Sequence, residues 1–432
     1  MHLLLTVIVS IMSFGAVPGD STVNNAEAIN KAMAYCAQKG GGTVSVPGGT
    51  FTTGTIYLQT GVMLNLEPGA VLRGSSRLAD YRHLQTTADL SKYESGQGTV
   101  NYNSATDPVW SQALVMGVGI HDSGICGDGI IDGANVRNPK GEEHMRGPHT
   151  VLLADCSGMN FYGFGVRHSA NYAFLGYKVS GSRFSSIHIE GGWDGIHLRG
   201  AQDVDVAGCV ISTGDDAIAG GYWDKMRISR CTLNSSCNGI RMIMPSTNVS
   251  VSRCNFFGPG NHEHITSHRT NSEHGIIIEP GAWGKAPGRL DNISISHCQM
   301  RQVLAPVCVT LGEDNSLGTI TISHLTARDV TRMALSVKSW GSARTDRVVM
   351  KHCDLEFRGI DDPALPEWFR SRPTSEWPVF PCWGAYFRNV GELSVSDVRL
   401  SLSGKDYRQA VITDNVGTTK GAFAAPEQLK SK

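Results

Sequence analysis

Net charge is nearly absent from this sequence. Its 432 residues carry 38 Lys and Arg against 39 Asp and Glu, a formal net charge of −1. A nucleic-acid binder or a membrane-surface protein needs a basic excess, so neither class is supported. Paired CxxC spacing is missing among the 11 cysteines, and no metal or cofactor is expected. Aromatic residues are sparse at 7%, whereas glycine reaches 50 residues, a balance that points to many turns and short strands.

Long apolar runs are missing as well, apart from the first sixteen residues, so no later segment reads as a membrane span. Leu3 to Met12 is apolar and is followed by the small residues Gly15, Ala16 and Gly19. That pattern reads as a secretory signal peptide, residues 1–19, cut between Ala16 and Ser21. Its start is weak, with His2 and no Lys or Arg. A buried N-terminal strand is the other reading. Export would place the chain outside the cell or in the periplasm.

The length exceeds that of an ordinary domain, but repeat folds escape that limit. Asn25 to Lys39 has helical spacing, with apolar Ala26, Ile29, Met33 and Cys36, and ends at Gly40-Gly41-Gly42. Beyond it the chain repeats a strand pattern. The copies are VDVAGC (204–209), MRISRC (226–231), VSVSRC (249–254), ISISHC (293–298), ITISHL (320–325), VVMKHC (348–353) and LSVSDV (393–398). Their steps are 22, 23, 44, 27, 28 and 45 residues. The two long steps are read as two turns each, the middle copy hidden by irregular sequence.

A period in the twenties with one strand pattern per copy marks a solenoid. Leucine-rich repeats need an LxxLxL frame, which does not recur, and no helical segment separates the copies. The expected fold is therefore all-β: a parallel β-helix of about three strands per coil, one domain over residues 20–432, capped at one end by the helix. Cys209, Cys231, Cys254, Cys298 and Cys353 would stack as an internal ladder. Three stretches break the period and would project as insertions: 81–110, 258–272 with His262, His264 and His268, and 361–381 with Trp368 and Trp377. The three histidines invite a metal reading, but a solvated loop explains them more simply.

The repeat gathers acidic residues. Asp194, Asp216 and Asn238 follow one another at equal steps of 22, each before a small residue and an isoleucine, and Asp215 precedes the middle one. Coils stack roughly 4.8 Å apart. Asp194, Asp215 and Asp216 would then crowd onto one spot, where at least one should hold its proton. An acid beside an ionised carboxylate is what glycosidic cleavage requires. One Asp-Gly alone reads first as a turn; three in register read as a site. His197 and Arg241 would face outward one residue beyond the inward isoleucines, with Arg199 two further on. Trp193, Tyr222, Trp223 and Trp283 flank the motifs and offer faces for sugar rings, though packing explains each as readily.

These motifs resemble glycoside hydrolase family 28, the polygalacturonases and rhamnogalacturonases. The opening AEAINKAMAYCAQKGGGTVSVPGGTF is similar to that family's first helix and coil. GDGIIDG (127–133), WDGIHL (193–198) and GDDAIA (214–219) resemble its G-x-G-x-I-D-G, N-T-D-G-I and G-D-D-x-I-A motifs. The resemblance implies a right-handed β-helix that cleaves by single displacement with inversion. It implies Asp215 as general acid, with Asp194 and Asp216 holding the water. Two later motifs depart. Asn238 stands where the family's G-H-G histidine belongs, and Ile277 and Glu279 stand where its R-I-K cations belong. His274 lies at the stack position of the next coil. His197, Arg199, Asn238, Arg241, His274 and Glu279 are the candidate substrate contacts, with Arg199 and Arg241 binding acidic sugar groups or else pairing with the carboxylates.

The leading function is thus a secreted, monomeric hydrolase of a pectin-type or other uronate-containing polysaccharide or oligosaccharide. A β-helix lyase and a non-catalytic carbohydrate-binding β-helix are the alternatives.

Overall fold

A computed structural model describes residues 7–94, 103–370 and 380–429, without the side chains of 368–370. Residues 1–6 of the leader, residues 95–102 of the first insertion, and Trp377 with the Trp368 side chain in the third lie outside the described residues. The fold is a right-handed parallel β-helix. By internal contacts the chain divides into two compact units, Met1–Asp215 with His264–His268 and Asp216–Glu263 with Arg269–Lys432, where the repeat suggests one domain.

In the first unit each coil gives a strand to three parallel ladders. One runs Val7–Ser10, Gly42–Val46, Val62–Leu66, Gly124–Gly127, Asn160–Tyr162, Arg183–Ser185 and on to the end of Ile196–Ala207. The second runs from Gly49–Thr53 to Val210–Thr213. The third joins Ile56–Tyr57, Gln112–Val118, His149–Ser157, Phe174–Ser180 and Ile196–Ala207. Strand alternation sets what each ladder buries. Phe174 pairs with Ile196, both fully buried, while the next pair, Leu175 and His197, points to the opposite face.

The helix Ala26–Gln38 lies against the first coil. It buries Ile29, Ala32, Met33 and Cys36, the stripe that its spacing provides. Next to it, Val7–Ser10 extends the first ladder in parallel with Gly42–Ser45, and Ile11 is buried. Within the segment that reads as a leader, these residues thus take the strand form.

The second unit repeats the scheme with longer loops. Ile218, Ile240, Ile276 and Val307 succeed one another along a ladder and are fully buried. The long repeat steps have a different origin from the one expected. Val249 pairs directly with Ile293, and Val348 directly with Leu393. Each step of 44 or 45 residues is therefore one coil, lengthened by a loop. A coil closes when its strands meet, whatever the length of the loop between them.

All 11 cysteines are buried thiols. Cys209, Cys231, Cys254, Cys298 and Cys353 are at most 2% exposed. The Cys231, Cys254, Cys298 and Cys353 sulfurs each face the carbonyl two residues earlier, on Ser229, Ser252, Ser296 and Lys351. They fill the inner column as small apolar groups.

Candidate active site

Asp194 precedes the strand Ile196–Ala207, and the Ala173 amide donates to its carbonyl at 2.9 Å. Its side chain is 3% exposed. His197 Nδ1 lies 2.6 Å from Asp194 Oδ2, and Arg199 Nε donates to His197 Nε2 at 3.1 Å. A guanidinium only donates, so Nε2 must accept and the imidazole proton sits on Nδ1. His197 is thereby fixed as the donor to Asp194, with its ring stacked on Tyr172 at 4.7 Å.

Arg199 points outward from its strand, as its position requires, yet it is 1% exposed. The first insertion covers it. The Asn103 carbonyl accepts from Arg199 Nη1 at 2.9 Å. Tyr93 lies over Gly200, where a Cβ would come within 2.4 Å of the ring. Arg199 is therefore a support for His197, held under the covering loop.

Asp215 is held by its backbone. Its amide donates to the Trp193 carbonyl at 3.4 Å, and its own carbonyl accepts from Thr213 Oγ1 at 2.9 Å. Its side chain, 14% exposed, meets two side chains of loop origin. Arg146 Nη2 is 3.6 Å from Oδ2, and His264 Nε2 is 3.7 Å from the same oxygen. Arg146 lies flat on Trp193, 3.6 Å from the ring centre, and also pairs with Glu142 at 3.4 Å and Glu143 at 2.8 Å. Trp193 is thus buried under a guanidinium rather than open to a sugar ring. His264 meets Trp193 edge-on, while His262 and His268 are not buried.

Asn103 Oδ1 and His149 Nε2 are buried without a hydrogen-bond partner, and Glu142 Oε2 and Arg146 Nε have no hydrogen bond beyond their ion pair. His149 is fully buried, and its Nδ1 accepts from the Tyr172 amide at 3.3 Å. Burial, joined by the Arg146 and Arg199 guanidiniums, pushes this imidazole down to about 3. A depressed folded value means that the unfolded chain binds the extra proton first. Stability is then full above about pH 6.5 and falls as pH drops towards 3, by about 1.4 kcal/mol per pH unit at most. His149→Gln should flatten that acid limb, measured as urea midpoints between pH 7 and pH 4. An unchanged slope would count against the buried neutral imidazole.

In the second unit Asp216 accepts twice from Asn238, from its amide at 3.2 Å and from Nδ2 at 2.7 Å. Asn238 Oδ1 in turn faces His274 Nδ1 at 2.8 Å, which makes the ring nitrogen the donor. Arg241 Nη1 lies 3.6 Å from Asp216, but its main partner is Glu279, at 2.8 Å through Nε and 2.7 Å through Nη2. The two residues named as separate sugar contacts thus occupy each other. Arg241 stands one coil from Ile277 in the same column, and Trp283 lies 5.2 Å from its guanidinium. Tyr222 and Trp283 both pack against Ile243, Met244 and Ala286, while Trp223 is buried at 1% exposure.

Arg146 and His264 are the contacts that the sequence did not reveal. Both come from loops, which carry no period. The one signal was the three-histidine insertion, of whose histidines His264 alone is buried.

Strands coiled in parallel, with aspartates set in the turns before them, define the class: a right-handed β-helix protein with a carboxylate site. Within it, the chain belongs to the Glycosyl hydrolases family 28, whose profile matches residues 74–350. An exo-poly-alpha-D-galacturonosidase of Dickeya chrysanthemi is 25% identical over 259 residues. That match takes in 49% of this chain and 41% of the relative, so the chain spans well under half of that protein's length. An exopolygalacturonase of Thermotoga maritima superimposes with a TM-score of 0.54 at 14% identity, over 98% of this chain and 91% of that one. PfbA, a surface adhesin of Streptococcus pneumoniae, gives 0.62 at 13% identity, over 95% and 91%. At such identities the solved structures speak for the fold alone.

Proposed function

We propose that this protein is an exported glycoside hydrolase acting on a pectin-type or other uronate-containing polysaccharide, with inversion. The family match over residues 74–350 carries the reading, and Asp194, Asp215 and Asp216 all lie inside the matched range. Asp215 is the general acid; Asp194 and Asp216 hold and activate the water. The exposures support this division of labour. Asp215 keeps 14% of its side chain open, against 3% for Asp194 and 5% for Asp216. A proton donor must reach the leaving oxygen, whereas a water-holding carboxylate is better fixed. Asn238 fixes Asp216 with two donors, and His197 fixes Asp194.

The substrate class follows from the named relative, a galacturonosidase, and is broadened by the altered grip. Ile277 offers no charge, and Glu279 takes up Arg241. A subsite so built suits a sugar with fewer free carboxylates than plain polygalacturonate. Export fits such a substrate, and no described helix is long and apolar enough to cross a membrane.

Incubation with polygalacturonate, rhamnogalacturonan and other uronate polysaccharides tests the reading. New reducing ends without absorbance in the unsaturated-uronate band are expected. Absorbance would mean β-elimination, and silence across the panel would favour a binding protein; either overturns the proposal.

A further inference from the structure

One group of side chains in the second unit has a chemistry that glycosidic cleavage does not use. Cys308 lies on the strand Val303–Leu311, paired with Ile277 on the preceding coil and Ser336 on the next. It faces away from the core residues Val307 and Val309. Phe380, Tyr386 and Ala334 pack over it and leave it 3% exposed. Beneath that cover Ser336 Oγ donates to the sulfur at 3.3 Å, and Lys338 Nζ donates at 3.3 Å. Lys338 also sits 4.4 Å above the Phe380 ring, so its ammonium is confined between aromatic and sulfur.

A sulfur given an ammonium and a hydroxyl under an apolar lid is stabilised as the thiolate. Burial alone would push the thiol up. Lys338 first, then the His274 side chain and Ser336, reverse this and bring it down to about 5. The thiols of Cys36, Cys126, Cys156, Cys353 and Cys382 are driven upward instead, burial being the largest cause for each.

We propose that Cys308 is a redox-sensitive modification site, a thiolate held by Lys338 and Ser336 that small hydroperoxides oxidise to the sulfenic acid. The thiolate attacks one peroxide oxygen. The S–O bond forms as the O–O bond breaks, the sulfur gives up two electrons and the peroxide takes them. The displaced hydroxide leaves as water with a proton from the Lys338 ammonium. Oxidation removes the charge that orders Lys338 and adds an atom where Phe380 and Tyr386 leave little room.

The effect has a route within the same unit. His274, one of the groups acting on the thiol, holds Asn238, and Asn238 holds Asp216. Cys308 oxidation therefore loosens Asp216. This second half rests on the hydrolase reading; the first does not.

The experiment treats the folded protein with hydrogen peroxide at pH 6, traps sulfenic acids with dimedone, and maps the labelled peptides by mass spectrometry. Cys308 should carry label on the order of ten-fold above Cys209, Cys254 and Cys353, and Lys338→Met should cut its labelling by a similar factor. Label spread evenly over the cysteines, or unchanged in K338M, overturns the proposal. Since the first measurement uses the unaltered chain, it stands even if a variant folds poorly. For the coupling, peroxide should lower hydrolysis reversibly, with recovery in dithiothreitol, and Cys308→Ser should be insensitive relative to its own untreated rate. Labelled Cys308 with unchanged hydrolysis would overturn the coupling alone. A protein that hydrolyses nothing in the panel would still show the labelling pattern.

Discussion

Asp215→Asn is expected to lower kcat by about 10²–10⁴-fold on whichever polysaccharide yields reducing ends, the usual contribution of a positioned general acid. The amide keeps the shape of the carboxylate but has no proton to give to a leaving oxygen. Stability should hardly move. Arg146 keeps Glu142 and Glu143 as partners, and the Asp215 backbone stays tied to Trp193 and Thr213. An activated aryl glycoside of the same sugar distinguishes chemistry from structure. Its leaving group needs no proton, so D215N should recover most of its rate on that substrate. Full activity on the polysaccharide would move the acid elsewhere.

Arg146→Met should destabilise the fold by about 3–5 kcal/mol, as removal of one partner of a buried ionic cluster does. The guanidinium is 6% exposed and stands among three carboxylates. Glu142 is 10% exposed, and burial already pushes its carboxyl up against the pull of Arg146. Without the cation that charge is stranded. The sign of the pH effect follows. A group raised in the folded state favours folding below its unfolded value and costs stability as pH rises through the folded one. The deficit of R146M should therefore be smaller at pH 4 than at pH 7. Arg146→Lys should restore the charge but not the flat contact with Trp193, and so recover only part. The double variant E142Q/R146M should be more stable than R146M alone, measured by urea unfolding at pH 7. Equal midpoints for wild type and R146M would dismiss the cluster as a stabilising element.

The two variants also mark how far the sequence could be read. Asp215 was visible because it lies in a motif on a repeating coil. Within the second unit, Ile218 does pair with Ile240, 22 residues on, as the step requires. The opening helix and the inner cysteines follow from periodicity and residue size. Arg146 was invisible. It comes from a loop, and nothing local marks one loop arginine as buried. Asn103 and Tyr93 belong to the same kind of chain, and between them they turn Arg199 from an outward cation into a covered support. The loops also explain the misread coil number. A residue count between repeats measures the chain spent, not the turns made. Glu279 could be placed beside the site from the pattern, but its capture by Arg241 depends on side-chain reach across coils, which spacing does not encode.

The inner column of buried sulfurs bears on how this chain comes to be folded. Secreted proteins often rely on oxidation to lock their final form. Here all 11 cysteines are buried thiols, and those of the column serve as packing atoms of the stacked coils. No crosslink has to form, and none can be formed wrongly without first opening the coils that bury the partners. The stack can close in a reducing cytosol as well as beyond it, and reductant in the surroundings takes away no part of what holds it together.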